Sequence, residues 1–370
     1  MKVVLNKCTE YDVQKIKKGI IDSLNELGGL NKYIKSGESV LLKVNLLTLK
    51  KPEQAATTHP TFTEALVEVF KDNGNEVIIA DSPGGPYLDM YIKRVYKATG
   101  MTEIAERQGV KLNRDYGSYD IFDNNSKMYK KMKICNYVKG VDHIITVSKM
   151  KTHSFMTFTG AVKNLFGVIP GLVKADLHMQ YPDLLDFGSM LVDICQHINP
   201  TLSFMDGIIA MEGEGPGSGD PAEMNVILTS TSPYHLDVVA ADMINLDPKK
   251  VPTIIKSIEY GHIKDDFSDI EVIGNIDDFR KSSFVHAKTN RVENVGRFSI
   301  WRYFKRYPKI IKKNCIGCGD CAEVCPAKTI DIIDRKAVIK FDKCISCFCC
   351  HEFCPAKAIT VKRRFLRKIK

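Results

Sequence analysis

Over residues 1–290 the hydrophobic positions alternate between two spacings. Short apolar runs such as Ser39–Leu46 and Glu76–Ala80 predict buried strands. Apolar residues at helical spacing predict helices over Asp12–Leu27 and from a Thr61–Glu64 capping box to about Asn73. This alternation predicts an α/β fold, a mostly parallel sheet flanked by helices. Further strands are predicted at Val3–Leu5, Val110–Asn113, Lys131–Val138, His143–Lys149, Leu202–Ala210, Asn225–Ser230 and Ile270–Asn275, and further helices at Asp89–Gln108, Tyr181–His197 and Tyr234–Leu246.

The pattern changes beyond residue 290. Residues 291–308 are polar, basic and aromatic, contain the only tryptophan (Trp301), and are predicted to be a linker or docking strip. Residues 309–370 predict a small α+β domain of the two-cluster ferredoxin type, ending in a basic tail.

A cysteine repeat defines that domain. The sequence CIGCGDCAEVCP begins at Cys315, and CISCFCCHEFCP follows 29 residues later at Cys344. Both contain C-x2-C-x2-C-x3-C-P, the spacing of ferredoxins in which the fourth cysteine binds the other cluster. Structural zinc and disulfides are the competing interpretations, but zinc sites normally pair two shorter Cys motifs. The predicted ligands of two [4Fe-4S] clusters are Cys315, Cys318, Cys321 and Cys354, and Cys344, Cys347, Cys350 and Cys325. Cys349 is left over and is expected to be a small buried residue.

Composition narrows the class of protein. Of 370 residues, 44% are hydrophobic and 26% are charged, which is ordinary for a soluble globular protein. No apolar run has the length of a membrane span, and the N-terminal apolar run is too short for a signal peptide. The four cysteines outside the predicted ligand sets are scattered, which favours a reducing cytoplasm.

The net charge of +9 is unevenly distributed. Residues 302–313 and 361–370 each carry six Lys or Arg and no acid. These strips are expected to form either a solvated collar that offsets the anionic clusters or a docking surface for an acidic redox protein or for the rest of this protein. No nucleic-acid-binding module accompanies the charge, so nucleic acid is not an expected partner.

Polar residues follow two predicted strands. Lys43 and Asn45 close one of them, and Asp81 closes the next, just before two glycines. Open α/β sheets bind ligands beyond the carboxyl ends of their strands. These residues therefore predict part of a binding site, although Asp81 and the residues after it equally fit a simple turn.

The segment from Lys149 to His153 is the most suggestive. In a continuing strand, Lys149, Lys151 and His153 project to one side and would attract a carboxylate or phosphate. Ser154 could then cap a helix that carries Lys163 and Asn164. The alternative is a solvated strand end followed by a core helix.

A third cluster covers residues 206–220. A strand is predicted to end at Asp206, followed by a glycine-rich loop that contains two glutamates. The loop leaves three interpretations open: backbone N–H groups at Gly213 and Gly215 bind an anion, Glu212 and Glu214 help to hold a cation such as Mg²⁺, or the loop is merely acidic and flexible. It matches neither a Walker loop nor a dinucleotide-binding fingerprint.

Five stretches together resemble the marker sequences of domain-of-unknown-function family 362: KVNL (43–46), TTHP (57–60), ADSPGG (80–85), KMKTHSFMTFTGAVKNLFGVIPG (149–171) and MDGIIAMEGEGPGSGDP (205–221). The resemblance implies an α/β body fused to a two-cluster ferredoxin, in bacteria or archaea that are often anaerobes. It implies no particular reaction. It carries over, as site residues without assigned roles, Asp81, Lys149, Lys151, His153, Lys163, Asn164, Asp206, Glu212 and Glu214.

Three functions fit the sequence. In the first, the clusters pass single electrons to or from an anionic small molecule, or an additional redox cofactor, near Asp81, Lys149, Lys151 and His153. In the second, the protein is an electron carrier or adaptor. In the third, it is a non-redox enzyme with a structural or regulatory ferredoxin. A preformed cavity containing Lys151, His153 and Glu212 would favour an enzyme, and a flat, filled surface would favour an adaptor.

Overall fold

The computed structural model describes residues 1–289 and 306–363. We call residues 1–289 the body and residues 306–363 the C-terminal region. Trp301, most of the predicted linker and the last residues of the basic tail lie outside the described residues. The predicted domain boundaries therefore remain predictions.

The body alternates strands with helices. Its strands are β1 (Lys2–Lys7), β2 (Ser39–Lys43), β3 (Glu76–Ala80), β4 (Lys111–Leu112), β5 (Ser118–Phe122), β6 (Lys131–Cys135), β7 (His143–His153), β8 (Thr157–Thr159), β9 (Leu202–Glu212), β10 (Asp220–Ser230) and β11 (Glu271–Ile273). Its α-helices are α1 (Val13–Glu26), α2 (Pro60–Asp72), α3 (Asp89–Ala98), α4 (Met101–Gln108), α5 (Ala161–Asn164), α6 (Val173–Gln180), α7 (Leu184–Ile198), α8 (Pro233–Met243) and α9 (Pro252–Glu259).

Nine of these strands form one sheet in the order β11-β1-β10-β9-β7-β2-β3-β4, with β8 paired to β7. The pairs β1–β11, β2–β3, β2–β7, β3–β4 and β7–β9 are parallel, and β1–β10, β9–β10 and β7–β8 are antiparallel. The prediction of a mostly parallel sheet is confirmed. The carboxyl ends of β2, β3 and β7 meet at one edge, where the polar side chains gather.

Two hydrophobic clusters support the sheet. The larger includes Ile16 of α1 and Phe62 of α2, and the smaller includes Leu236 of α8 and Ile254 of α9. Each of these side chains is almost fully buried, which stabilises the fold by about 1.5–3 kcal/mol per large apolar side chain.

Helix α2 begins differently from the prediction. Its cap is His59, whose Nδ1 accepts a hydrogen bond from the Thr61 N–H at 3.2 Å, and Pro60 is the first helical residue. Proline suits this position because its missing N–H would have no partner within the helix. The predicted Thr61 capping box is therefore wrong.

The glycine-rich loop also differs. Strand β9 continues through Asp206 to Glu212, and β10 begins at Asp220, so residues 213–219 connect an antiparallel hairpin. The predicted strand end at Asp206 is therefore wrong. The apolar residues that follow Asp206 belong to strand β9 and not to the loop.

Ser154 does not cap a helix. Strand β7 extends to His153, β8 folds back on it, and α5 starts only at Ala161. The cap of α5 comes from α8: the Asp237 carboxylate accepts the N–H groups of Ala161 at 2.6 Å and Val162 at 3.1 Å. A Cβ at Gly160 would lie 2.0 Å from Asp237 Oδ1, so this close approach requires glycine.

The C-terminal region contains two small antiparallel sheets, one pairing its first and last strands. Its elements are β12 (Arg306–Ile310), α10 (Asp320–Glu323), β13 (Ile330–Ile333), β14 (Lys336–Ile339), α11 (Cys349–Glu352) and β15 (Ile359–Arg363). Along the described residues, no helix combines the length and hydropathy needed to cross a bilayer.

Candidate functional site

The sequence repeat is also a structural repeat. Gly317 and its counterpart Ser346 adopt φ angles of 72° and 59°, and Gly319 and its counterpart Phe348 adopt 95° and 64°. These left-handed residues wind each cysteine loop around a small cavity, and a short helix follows each loop.

Each cavity is lined by one of the two predicted sets of cysteines. Cys315, Cys318, Cys321 and Cys354 line the first cavity, and Cys325, Cys344, Cys347 and Cys350 line the second. Backbone N–H groups point at several sulfurs, including Ala337 at Cys315, Thr329 at Cys325 and Ala358 at Cys354, over 3.2–3.4 Å. Four thiols per cavity and N–H donors to sulfur fit an iron–sulfur cluster. We refer to these cavities as cradle I and cradle II.

The two cradles differ in exposure. Cys318 of cradle I is exposed, and the adjacent Ile316 is 61% exposed. In cradle II, Cys325, Cys347 and Cys350 are buried. Cradle I therefore has one solvent-exposed ligand, whereas three of the four ligands of cradle II are buried.

A third cavity, of about 110 Å³, lies where the body meets the C-terminal region. We call it the shared cavity. Six predicted site residues line it: Lys43, Asn45, Asp81, Lys151, Lys163 and Asn164. The structure thus brings these six residues together around one cavity, and their role as site residues stays a prediction.

Asn164 connects several of them. Its Oδ1 accepts hydrogen bonds from Lys43 Nζ at 2.9 Å and Asn45 Nδ2 at 3.1 Å, and its Nδ2 donates to Thr146 Oγ1 at 2.9 Å. Lys43 Nζ also lies 2.9 Å from Asp81 Oδ1. The strand-end residues are thus held rigidly, and burial lowers the pKa of Lys43 while Asp81 opposes this.

Three further lysines reach the cavity. Lys151 Nζ donates to Asn45 Oδ1 and to the Ala56 carbonyl, each at 2.7 Å, and Lys174 Nζ donates to Ser82. Lys163 forms no salt bridge or hydrogen bond to any of the described residues. Burial lowers the pKa of all three, that of Lys174 to about 8. With Lys43, four lysines face two carboxylates, so the lining favours an anion.

The C-terminal region forms one wall of the cavity. Cys349 and Glu352 of α11, with Phe353, line it. Burial raises the pKa of Glu352 to about 7, and Lys163 and Lys151 oppose the shift. Phe353 packs against Gly84, where a Cβ would lie 2.0 Å from the ring. This glycine is needed because the two parts of the protein touch there.

His153 lies close to the shared cavity without lining it. Its Nδ1 accepts the N–H groups of Phe155 at 3.0 Å and Met156 at 3.2 Å. Burial holds the pKa of its ring well below the usual value, and nearby Lys163 lowers it further. His153 therefore contacts the C-terminal region as a neutral imidazole, and it is not among the residues that line the cavity.

Lys149 and Asp206 form a separate buried pair. Lys149 Nζ donates to Asp206 Oδ2 at 2.7 Å and to the Tyr11 hydroxyl at 2.7 Å, and Tyr11 donates to Asp206 Oδ1 at 2.9 Å. The His59 ring stacks on Tyr11 at 3.5 Å. Because these charges satisfy one another, their position fits a structural role, and neither residue lines the shared cavity.

The hairpin loop likewise lies away from the cavity, except for Pro216. The Gly213 N–H donates to the Val285 carbonyl and the Gly215 N–H to the Gly213 carbonyl, so neither is free to bind an anion. The Glu212 carboxylate accepts the Val285 N–H at 2.9 Å, and Glu214 lies 3.6 Å from Lys288. Across residues 1–289 and 306–363, no three His, Cys, Asp or Glu side chains converge as ligands of a single metal ion. The structure thus supports neither an anion nest nor a Mg²⁺ site here.

Sequence reasoning missed several residues of the cavity. Lys174 and His178 come from α6, and Thr159 comes from β8. Glu352 and Phe353 come from the other end of the chain. The sequence repeat offered one signal for these residues. Its second copy has Cys349 where the first copy has Asp320, and Phe353 where the first copy has Val324.

Comparison with known proteins gives separate matches for the body and for the C-terminal region. Residues 40–242 match the model of the domain of unknown function DUF362. The chain belongs to this family. Residues 307–355 match the 4Fe-4S dicluster domain, so the C-terminal region is of the iron–sulfur ferredoxin type. The resemblance inferred from the marker stretches is confirmed.

Similar proteins are known, but their similarity identifies no reaction for this chain. A thylakoid-associated protein of Synechocystis sp. is 32% identical over 253 residues, which cover 68% of this chain and 77% of that protein. The lactate racemase apoprotein of Thermoanaerobacterium thermosaccharolyticum aligns with a TM-score of 0.42 and 11% identity, covering 66% of this chain and 57% of that one. A Thermotoga maritima protein aligns with a TM-score of 0.37 and 14% identity, covering 61% of this chain and 55% of that one.

Proposed function

We propose that this DUF362 protein is an iron–sulfur oxidoreductase in which two [4Fe-4S] clusters exchange single electrons with an anionic small molecule bound in the shared cavity. The observation that supports it most is the composition of the cavity wall. Cys349, Glu352 and Phe353 lie between or beside cluster ligands, and they face the lysines of the body. Cys349 lies between Cys347 and Cys350, two ligands of cradle II, so a ligand that contacts Cys349 would lie beside that cradle.

The roles of the chain's own residues follow from their positions. When bound, the clusters supply one-electron transfer at low potential. Lys43, Lys151, Lys163 and Lys174 attract and orient the anion, because their ammonium groups are desolvated and weakly screened. Asn164 fixes Lys43 and Asn45 by hydrogen bonds, and Phe166 and Phe353 limit access of water.

The exposed face of cradle I suggests where electrons arrive. Cys318 and Ile316 are exposed next to Lys312 and Lys313, which are exposed too. An acidic redox protein would find both an apolar contact and opposite charge there. This surface also favours the second candidate function, an electron carrier that serves a protein partner. Eight cysteines are accounted for as cluster ligands and the other four form no disulfide, so we place the protein in a reducing, cytoplasmic location as part of the proposal.

The test is anaerobic reoxidation. Protein containing about eight iron atoms, as two cubanes require, is reduced and then mixed with small carboxylic acids and phosphate esters that also carry a reducible carbonyl or C=C group, while cluster absorbance is followed. We expect at least one acid to reoxidise the clusters, and Lys151→Met to slow this about tenfold or more because a buried cation is lost. Lys35→Met, which removes an exposed lysine with no assigned role, is the matched control and should leave the rate unchanged.

Two results would contradict the proposed function and favour a different one. If only a protein acceptor reoxidises the clusters, and Lys151→Met has no effect, the protein is an electron carrier. If substrate turnover survives the loss of a cluster in a folded Cys→Ser variant, the ferredoxin region is structural and the reaction is not redox chemistry.

A further inference from the structure

Three polar side chains that line the shared cavity have unused hydrogen-bonding capacity. Thr159 is 3% exposed and its Oγ1 has no partner among the described residues. His178 is 6% exposed and its Nδ1 also lacks a partner there. Lys163, as noted, forms no salt bridge or hydrogen bond within the described residues. Buried polar groups are rarely left unpaired, because the loss of hydration costs free energy.

All three side chains line the shared cavity. Lys163 follows Thr159 by four residues, and burial together with the nearby charge of Lys163 lowers the pKa of the His178 ring. The His178 ring is held in place by stacking on Phe187 at 4.4 Å. Asp237 holds the first turn of α5, which carries Lys163. The donors are therefore positioned in advance of ligand binding.

We propose that Lys163, Thr159 and His178 form a subsite for the oxyanion group of a small acid, a carboxylate or a phosphate. The ammonium of Lys163 supplies the charge, and the Thr159 hydroxyl and the His178 ring supply hydrogen bonds. Glu352 is the opposing charge nearby, and the other lysines of the cavity outweigh it. This inference rests on the proposed function only in taking the shared cavity as the ligand site.

The size of the cavity limits the rest of the ligand. The cavity has a volume of about 110 Å³, which is room for more than one water-sized group. Phe166, Leu47 and Phe353 supply apolar walls for the part of the ligand that is not charged. A small organic acid or phosphate ester suits this lining.

The experiment measures binding, not turnover. The cluster-loaded protein is titrated anaerobically by calorimetry with inorganic phosphate in one series and with acetate in another. Lys163→Met should weaken binding about tenfold to a hundredfold, as expected for a charged hydrogen bond. Thr159→Val and His178→Phe, which keep the side-chain shape, should each weaken it about twofold to tenfold. The series with tighter binding identifies the oxyanion as phosphate or carboxylate.

The control is Lys35→Met, which removes an exposed lysine before β2 and should leave affinity unchanged. The proposal is overturned if neither anion binds at millimolar concentration, if none of the three cavity variants changes affinity, or if Lys35→Met weakens binding as much as Lys163→Met. Binding that follows the expected order, in a protein whose clusters no acid reoxidises, would overturn the proposed electron transfer and leave the subsite standing.

Discussion

His153 Nε2 lies 3.4 Å from Glu352 Oε1, and this contact joins the end of β7 to α11 of the C-terminal region. Both atoms are buried and have no hydrogen-bond partner among the described residues. In the other half of the repeat, Glu323 occupies the place of Glu352 and is exposed. The two corresponding glutamates therefore lie in different surroundings: Glu352 is buried against the body, and Glu323 is exposed.

The docking of Phe353 against Gly84 can be tested by adding one methyl group. Gly84→Ala would place a Cβ 2.0 Å from the Phe353 ring. We expect a loss of about 1–3 kcal/mol in the free energy of unfolding, because the interface is overpacked. Urea denaturation of the cluster-loaded protein measures it.

The control is a double-mutant cycle with Phe353→Leu. If the contact is real, the two substitutions are not additive, since the smaller side chain makes room for the methyl group. Additive losses would show that Gly84 and Phe353 do not meet.

The cysteine assignment makes a prediction about iron content. Cys347→Ser should lose one cluster and retain about four iron atoms per chain, because each cubane holds four. Cys349→Ser should keep about eight, because Cys349 lines the shared cavity and not cradle II. Iron and sulfide analysis of anaerobically purified variants measures both. Loss of iron from Cys349→Ser alone would mean that the ligand set is wrong.

Affinity for an anion should depend on pH through Lys174. Burial lowers its pKa to about 8, Asp81 and Cys135 oppose the shift, and Lys43 and Lys163 add to it. Below pH 8 the ammonium is charged and attracts the anion. As pH rises through about 8 the charge is lost, so affinity should fall. Calorimetric titration from pH 6.5 to 9.5 should show this step in the native protein and a smaller one in Lys174→Met.

A lysine from the body is positioned to tune the cluster of cradle I. Lys50 is 4% exposed, and burial lowers its pKa while nearby Cys354 raises it. A buried positive charge favours the reduced, more negative cluster. Lys50→Met should therefore lower the reduction potential of that cluster by tens of millivolts in an EPR-monitored titration. Lys312→Met is the comparison, because water and salt screen an exposed charge, and an equal shift there would exclude a specific effect of Lys50.

Part of the site could be predicted because it depends on local rules. Lys43 and Asp81 follow parallel strands, and the ends of such strands meet at one edge of the sheet. The cluster cysteines have a spacing that already encodes their geometry. Lys149 looked equivalent to Lys151, yet it pairs with Asp206, which a strand pattern does not reveal.

The remaining residues depend on contacts over long sequence separations. Glu352 reaches the cavity only because the C-terminal region docks on the body, and no local pattern encodes that docking. His178 lies on α6, and its sequence position does not distinguish a residue that lines the cavity from a residue of the hydrophobic core. The glycine-rich loop looked like an anion site, but its N–H groups are used by carbonyls of the protein.

In the proposed function, an anion in the shared cavity lies beside the cluster of cradle II. Pulsed EPR of the reduced, cluster-loaded protein with bound inorganic phosphate, or with ¹³C-labelled acetate, measures this directly. We predict a hyperfine coupling between the bound nucleus and a reduced cluster, and a weaker signal in Lys163→Met at the same anion concentration. Binding of either anion, established by calorimetry, without coupling to a cluster would contradict it.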